Sequence, residues 1–231
     1  MRVGQSGDHD RRIAEMFDRV SPRYDRLNRV LSFGTDRAWR RRAVALARLG
    51  PSGRAVDVGA GTGDLTFALA AASAPGARVV AADLSRGMLD VARRRGTLLC
   101  IIANAESLPF ADGSLDGVIT GFTVRNVGDL PRALREFRRV LRPGGRAVIL
   151  ELSHPRGPLF PALYRFYFDR VAPRLAIVLG GDPEAYRYLP RSLRPFPKAE
   201  ALAQLLRDAG FARVRFERLT LGIAAIHLGE A

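Results

Sequence analysis

The 231-residue chain has one cysteine, Cys100, one lysine, Lys198, and three histidines, His9, His154 and His227. A lone cysteine excludes an internal disulfide framework and any multi-cysteine metal cluster, and it fits a reducing compartment, the cytosol. The histidines lack metal-ligand spacing, so no metal site is expected. His227, inside a strand-like run, reads as a neighbour of the core, and Cys100 as a small packed hydrophobe. No apolar stretch approaches the ~20 residues that span a bilayer. The opening segment mixes Asp8, Asp10, Glu15, Asp18 and Asp25 with arginines, which suits neither a signal peptide nor an acid-poor transit peptide. Internal repeats, Gly/Ser linkers and low-complexity tracts are absent as well.

What is plentiful is positive charge, with Lys+Arg 37 against Asp+Glu 23 and a formal net charge of +14. Such a field attracts polyanions, which makes nucleic acid and anionic membrane the partner classes to weigh. Almost every cation is arginine, however, a bias that GC-rich coding produces unaided. The runs Arg40-Arg41-Arg42 and Arg93-Arg94-Arg95 fall on helical patterns, where solvated faces are expected, and no aromatics interleave with them as in a base-stacking platform. Nucleic acid is therefore not expected, while a peripheral membrane contact stays open.

At 47% hydrophobic residues the chain can bury one large α/β core. Residues 1 to about 50 read as helical, with Ile13, Met16, Phe17 and Val20 at helical spacing before Ser21-Pro22 interrupts them. Strands follow at Ala55–Val58, Val79–Ala82, Leu98–Ala103, Leu115–Thr120 and Arg146–Leu152. Between them lie helices at Leu65–Ala72, from the capping-type Ser85 onward, and at Leu130–Leu141 before Pro143-Gly144-Gly145. The alternation predicts a parallel, doubly wound sheet covered on both faces. Residues 155–197 look irregular, rich in proline and aromatics, and read as an insertion over one edge. A helix over Ala199–Ala209 and strands at Arg213–Leu219 and Ile223–Leu228 close the chain.

The first strand runs into Asp57-Val58-Gly59-Ala60-Gly61-Thr62-Gly63-Asp64. Glycines there let the backbone turn tightly and a ligand approach without a Cβ in the way. A dinucleotide fingerprint starting at Gly59 would need glycine where Asp64 stands, and a carboxylate there repels pyrophosphate. The turn suits a nucleoside carrying a cationic or zwitterionic group, and S-adenosyl-L-methionine is such a ligand. Asp83 ends the second strand, where an acid accepts ribose hydroxyls, and Asn104-Ala105 follow the third. The expected cofactor-binding set is therefore Asp57, Gly59, Gly61, Thr62, Gly63, Asp83, Asn104 and Ala105, in a methyltransferase that releases S-adenosyl-L-homocysteine.

Further motifs narrow this. Phe17, Tyr24-Asp25, Asn28, Ser32-Phe33-Gly34 and Arg37-x-Trp39-Arg40 lie near the start. Arg125-Asn126-Val127, Asp129, Ala133-Leu134-Arg135-Glu136, Arg139 to Arg146 and Glu151-Leu152-Ser153 lie in the middle, and Tyr186-Arg187-Tyr188-Leu189, Asp208-Ala209-Gly210-Phe211 and Gly222-Ile223-Ala224 late. With these, the chain from Met16 to Gly229 resembles the UbiE/MenG/Coq5 family, S-adenosylmethionine-dependent C-methyltransferases of ubiquinone and menaquinone biosynthesis. It departs from the family pattern at Arg29, Asp36 and Gly121, where Asp, often His, and commonly a cofactor-contacting Ser stand, and in a shorter Arg95–Leu98 segment.

The resemblance implies the class I S-adenosylmethionine-dependent methyltransferase fold, a doubly wound, mostly parallel seven-stranded sheet with the last strand antiparallel. Residues 1–50 would form a helical lid or substrate segment and 51–231 a Rossmann-like methyltransferase domain. The implied substrate is a polyprenylated quinol, demethylmenaquinol first, with a ubiquinone-pathway benzoquinol, another small molecule or lipid, and a nonenzymatic RNA-binding or scaffold role as alternatives. Tyr24, Arg125 and Asn126 are the expected catalytic residues. Arg125 would stabilise a ring oxyanion electrostatically, and the other two would position by hydrogen bonds, unless Arg125 serves a structural ion pair and Tyr24 packs a lid. The aromatic insertion is expected either to line an apolar tunnel for the prenyl tail or to pack in the core. A second copy of the chain is a further partner left open.

Overall fold

Apolar residues at consecutive rather than alternate positions mark strands covered on both faces. The computed structural model sets such runs at the centre of a seven-stranded sheet. It describes residues 3–21 and 24–231, residues 3–6 and Tyr186 by backbone alone; Pro22 and the Tyr186 side chain lie outside the described residues. Three helices lead in: α1 (Val3–Val20), α2 (Tyr24–Leu31) and α3 (Thr35–Ala47). Then come β1 (Arg54–Val58), α4 (Asp64–Ala72), β2 (Arg78–Asp83), α5 (Arg86–Arg95), β3 (Leu99–Ile102), β4 (Leu115–Gly121), α6 (Leu130–Val140) and β5 (Leu141–Leu152). Helices α7 (Phe160–Phe166), α8 (Ala172–Val178), α9 (Pro183–Leu193) and α10 (Ala199–Asp208) precede β6 (Arg213–Leu219) and β7 (Ala224–Glu230).

The strand order is β3-β2-β1-β4-β5-β7-β6. All pairs are parallel except those of β7, which runs antiparallel to both β5 and β6, as expected. The order reverses between β1 and β4, so a crevice opens beyond their carboxyl ends. Side-chain alternation sorts the core into two layers. Val56, Val58 and Ile149 meet Leu134 and Phe137 of α6 and Leu202 and Leu206 of α10 on one face. Ala55, Ile119, Val148 and Leu150 meet Trp39, Ala43 and Val44 of α3 and Leu65 and Leu69 of α4 on the other. Each Val, Leu, Ile or Phe side chain among them, fully buried, contributes about 1.5–3 kcal/mol. Helix α3 thus belongs to the sheet's own layers, whereas α1 and α2 lie across the strand ends, packing on α5, α8 and α9.

Two local readings change. The Pro143-Gly144-Gly145 stretch does not close a helix; α6 ends at Val140, Leu141 already pairs with Leu115, and the glycines form an irregularity before pairing resumes at Arg146. Residues 155–197 are mostly helical rather than irregular. Prolines sit in the first turns of α7, α8 and α9, where a missing N–H costs nothing, and a π-helical turn over Tyr167–Val171 joins α7 to α8. Prolines that look like breakers in the sequence here start helices.

Two expectations about isolated residues hold. His227 is buried, bonds the Ala199 carbonyl through Nε2 at 2.8 Å and stacks on Phe216, and burial lowers its pKa to about 4. Cys100 packs half-buried on Ala60 and Leu89.

Candidate active site

The glycine turn sits at the switch point. Gly59 and Ala60 both donate to the Ala82 carbonyl, at 2.7 and 3.0 Å, folding the turn back over β2. Gly59 has φ +68°, and a Cβ there would lie 2.2 Å from Thr123, so glycine is obligatory on two counts. Gly61, also at positive φ, differs: a Cβ would meet no protein atom within 4 Å, which leaves its cleft side free for a ligand. Gly63 is expected in the cofactor set but instead packs against Phe67, Leu98 and Ala92 and does not line the cleft.

The other expected cofactor residues come together around one cleft. Asp83 accepts from the Gly61 amide at 2.8 Å through one oxygen and from Ser85 N at 2.8 Å through the other; burial raises its pKa against these donors. Asp57 accepts from the Thr66 hydroxyl at 2.6 Å, while its second oxygen, Oδ1, is buried without a partner. Burial pushes Asp57 up to about 7, the Thr66 bond pulling the other way. A buried, unpaired carboxylate oxygen beside an open glycine turn fits a ligand that brings its own cation, as the ammonium end of S-adenosyl-L-methionine does.

Helices α1 and α2 close over this cleft through polar ties. Asp10 accepts from the Asn104 amide at 2.7 Å, His9 Nε2 lies 2.9 Å from the Asn126 carbonyl, and Asp18 binds Ser85 Oγ at 2.5 Å and Gly87 N at 2.8 Å. Asp25 of α2 accepts from Thr62 Oγ1 at 2.7 Å and from Arg95, which also pairs with Asp64 at 2.5 Å. Thr62 and Asn104, both expected to face a cofactor, therefore also tie these helices down. Arg95, expected on a solvated face, joins Asp25 to Asp64.

A second cleft opens on the other side of Tyr24. Its wall is largely apolar: Trp39, Phe122, Leu152, Phe160, Leu163, Tyr164, Tyr167, Phe168 and Ile223. Among the described residues, Tyr24, Arg40 and Phe122 line both clefts and mark where they meet. Of the aromatic segment, Phe160, Tyr164 and Tyr167 line this cleft, while Phe196 is buried in the core.

Of the three expected catalytic residues, Tyr24 stands at this junction, Arg125 lines the apolar cleft and Asn126 lines the cofactor cleft. Arg125 is nearly fully buried and pairs with buried Glu151 at 2.6 Å; it also donates to the Phe122 carbonyl at 2.6 Å. Glu151 accepts in addition from the backbone N–H of Arg125 at 3.2 Å and of Leu152 at 2.8 Å. The structural ion pair weighed for Arg125 is therefore present. Burial works against the guanidinium charge, but Glu151 outweighs it, so Arg125 stays charged. Burial raises the Tyr24 pKa, with Arg125 and Arg40 pulling it down, and leaves the hydroxyl protonated and able to donate. Asn126 Oδ1 is buried without a partner. Glu151 carried no expected role of its own, although it sits in the Glu151-Leu152-Ser153 motif. Arg40, expected on a solvated face, is instead half-buried between the clefts.

Three comparisons bear on this arrangement. The sequence profile of the ubiE/COQ5 methyltransferase family matches residues 5–231. The chain is 48% identical over 220 residues to the demethylmenaquinone methyltransferase of Thermus thermophilus, covering 93% of this chain and 99% of that one. It is 44% identical over 239 residues to the ubiquinone/menaquinone biosynthesis C-methyltransferase UbiE of Geobacter sulfurreducens, covering 99% and 91%. Its fold is similar to that of a solved S-adenosylmethionine-dependent methyltransferase from Thermotoga maritima, with TM-score 0.69 at 24% identity over 94% and 98% of the two chains. At that identity the likeness shows the shared architecture, on which many chemistries are built.

Proposed function

The chain belongs to the ubiE/COQ5 methyltransferase family, and from that premise we propose that it methylates a ring carbon of a polyprenylated quinol, demethylmenaquinol first, with S-adenosyl-L-methionine as the methyl donor. The observation that carries this reading is the meeting of two unlike clefts at Tyr24, Arg40 and Phe122: one polar and built on the glycine turn, the other apolar and aromatic. When bound, the cofactor supplies an electrophilic methyl group.

The chain's own residues do the rest. Asp57, the Gly61 backbone, Thr62, Asp83, Asn104 and Ala105 hold the nucleoside and its amino-acid end. The lid ties from Asp10, Asp18 and Asp25 exclude water from the junction. Tyr24 donates a hydrogen bond to a ring oxygen, and the fixed charge of Arg125 lowers the energy of the ring in its anionic form, which places electron density on the attacking carbon. Holding the two reactants in line is worth up to about 7–11 kcal/mol of barrier. Because guanidinium keeps its proton, Arg125 acts as a charge and not as a base, and the ring hydroxyl proton passes to water or a carboxylate. Attack by the ring carbon breaks the sulfur–methyl bond with loss of the thioether, and the ring C–H proton lost on rearomatisation restores the hydroxyl.

The test is direct. Purified protein incubated with the donor and a reduced, short-chain demethylnaphthoquinol is expected to yield the ring-methylated product by mass spectrometry. Turnover of a benzoquinol alone would move the substrate to the ubiquinone pathway; turnover only of sterols or simple phenols would reject the quinol reading.

The acceptor cleft also suggests how a prenylated substrate arrives. Phe33, Leu159, Leu163, Phe166 and Val178 are exposed on the loop after α2 and along α7 and α8, and these segments touch through the Phe33–Tyr167 ring contact. Phe33 and Leu163 line the cleft itself. Arg29, Arg165, Arg170 and Arg174 lie on the same segments with no carboxylate in ion-pair range among the described residues. No described helix is long and apolar enough to cross a membrane. This face suits peripheral contact with an anionic bilayer, at about 1 kcal/mol per arginine near the surface. The protein is expected to float with phosphatidylglycerol vesicles, to stay behind with purely zwitterionic ones, and to lose most of its binding in a Leu159→Asp, Val178→Asp double variant. Flotation indifferent to anionic lipid would count against it.

A further inference from the structure

The cofactor cleft is lined by six charged side chains among the described residues, and five are acids: Asp10, Asp25, Asp57, Asp64 and Asp83. The sixth is Arg40, from α3. The acids are mostly spoken for within the protein: Asp10 by Asn104, Asp25 and Asp64 by Arg95, and Asp83 by two backbone amides. Asp57 keeps one oxygen unpaired.

Arg40 is in the complementary condition. Its carboxylate neighbour, Asp36, stands at a loose 3.8 Å and already accepts from the Ser32 hydroxyl at 2.9 Å. Its Nε is buried without a partner, and its guanidinium lies over the Phe122 ring, 5.3 Å from the centroid, which holds the plane in place. By contrast, Arg125 on the acceptor side keeps its charge against a close partner, Glu151 at 2.6 Å. Arg40 is also near enough to Asp57 to draw on its carboxyl electrostatically.

A zwitterionic ligand needs one anionic and one cationic partner, and the cleft offers one unsatisfied group of each sign. Resting on the cofactor assignment above, we propose that Arg40 clamps the α-carboxylate of the cofactor while Asp57 Oδ1 takes its α-ammonium. The pair makes the cleft select nucleosides that keep their amino-acid end. Guanidinium suits this task because its planar fork offers two parallel donors to a carboxylate, which an ammonium group cannot match.

Calorimetric titration with two ligands tests it: S-adenosyl-L-homocysteine, and 5′-methylthioadenosine, the same nucleoside thioether without the amino-acid end. The parent protein is expected to prefer the first. Arg40→Met should weaken S-adenosyl-L-homocysteine about 10- to 100-fold, the range of a charge-assisted hydrogen bond, and leave 5′-methylthioadenosine unchanged. Arg40→Lys, which keeps the charge and the packing stem, should fall between. Equal weakening of both ligands would mean that Arg40 merely shapes the cleft. Unchanged affinity for both, with slower turnover, would assign it to the acceptor; either result overturns the proposal. If the parent protein bound neither ligand, the cofactor assignment itself would fall, a distinguishable failure.

Discussion

Glu151→Ala is expected to lower the unfolding free energy by about 3–5 kcal/mol, because it strands the Arg125 charge in a site both side chains now share almost without solvent. For a chain of this size roughly 2–4 °C of melting temperature goes with each kcal/mol, so a fall on the order of 10 °C should appear by calorimetry. The same pairing predicts an asymmetry. Replacing both partners with apolar residues of similar volume, Arg125→Met with Glu151→Leu, should recover most of the lost stability, since the desolvation cost of two charges disappears with them. Turnover should not recover, because the fixed positive charge beside the acceptor cleft is gone. A double variant that regained activity along with stability would reduce Arg125 to a packing element; a single variant melting like the parent would show that the ion pair contributes little.

The second large effect is a pH dependence of cofactor affinity. Asp57, held up to about 7 by burial, is mostly protonated below that pH in the ligand-free protein. A ligand ammonium at Oδ1 favours the ionised form, so binding expels a proton wherever the free protein carries one. The affinity for S-adenosyl-L-homocysteine is therefore expected to be highest near pH 7.5, where Asp57 is ionised and the ligand still carries its ammonium, and to fall about tenfold per pH unit below 7, a loss on the order of 100-fold by pH 5. Asp57→Asn should abolish the slope and weaken binding throughout.

Stability takes the opposite sign. A carboxyl whose folded pKa lies above its unfolded value of 3.8 favours the fold at low pH, and that advantage is lost as pH rises from about 4 to about 7. The ligand-free Asp57→Asn protein should accordingly be more stable than the parent at pH 8, keeping the Thr66 bond without burying a charge. A pH-independent affinity in the parent, or a less stable variant at pH 8, would show that Asp57 is not held in its neutral form.

Much of this molecule is legible along the chain because local chemistry repeats it. Ser85 caps α5 by accepting from Met88 N, as its residue type announces. Asp129 caps α6 by accepting from Arg132 N, with Pro131 behind it, and Ala133, Leu134, Phe137 and Val140 turn one face inward. Apolar strands broken by glycine turns give the parallel order, and the order itself locates the crevice. The helices at 155–197 are not legible along the chain because proline has one sequence signature for starting a helix and for stopping one, and only the hydrogen bonds around it tell which.

The strand segments, the glycine turn and the acid at the end of β2 were thus set by the sequence alone, since turn geometry, capping and apolar patterning act over a few neighbouring residues. Charge pairing was decided by tertiary structure. It takes the fold to bring Glu151 to Arg125 across 26 positions and Asp25 to Arg95 across 70, leaving Arg40 with only the longer Asp36 contact at 3.8 Å. Whether an arginine is solvated, spent in a tight ion pair or available to a ligand depends on how closely a carboxylate approaches it, because the desolvation and Coulomb terms that decide it vary steeply with distance and burial.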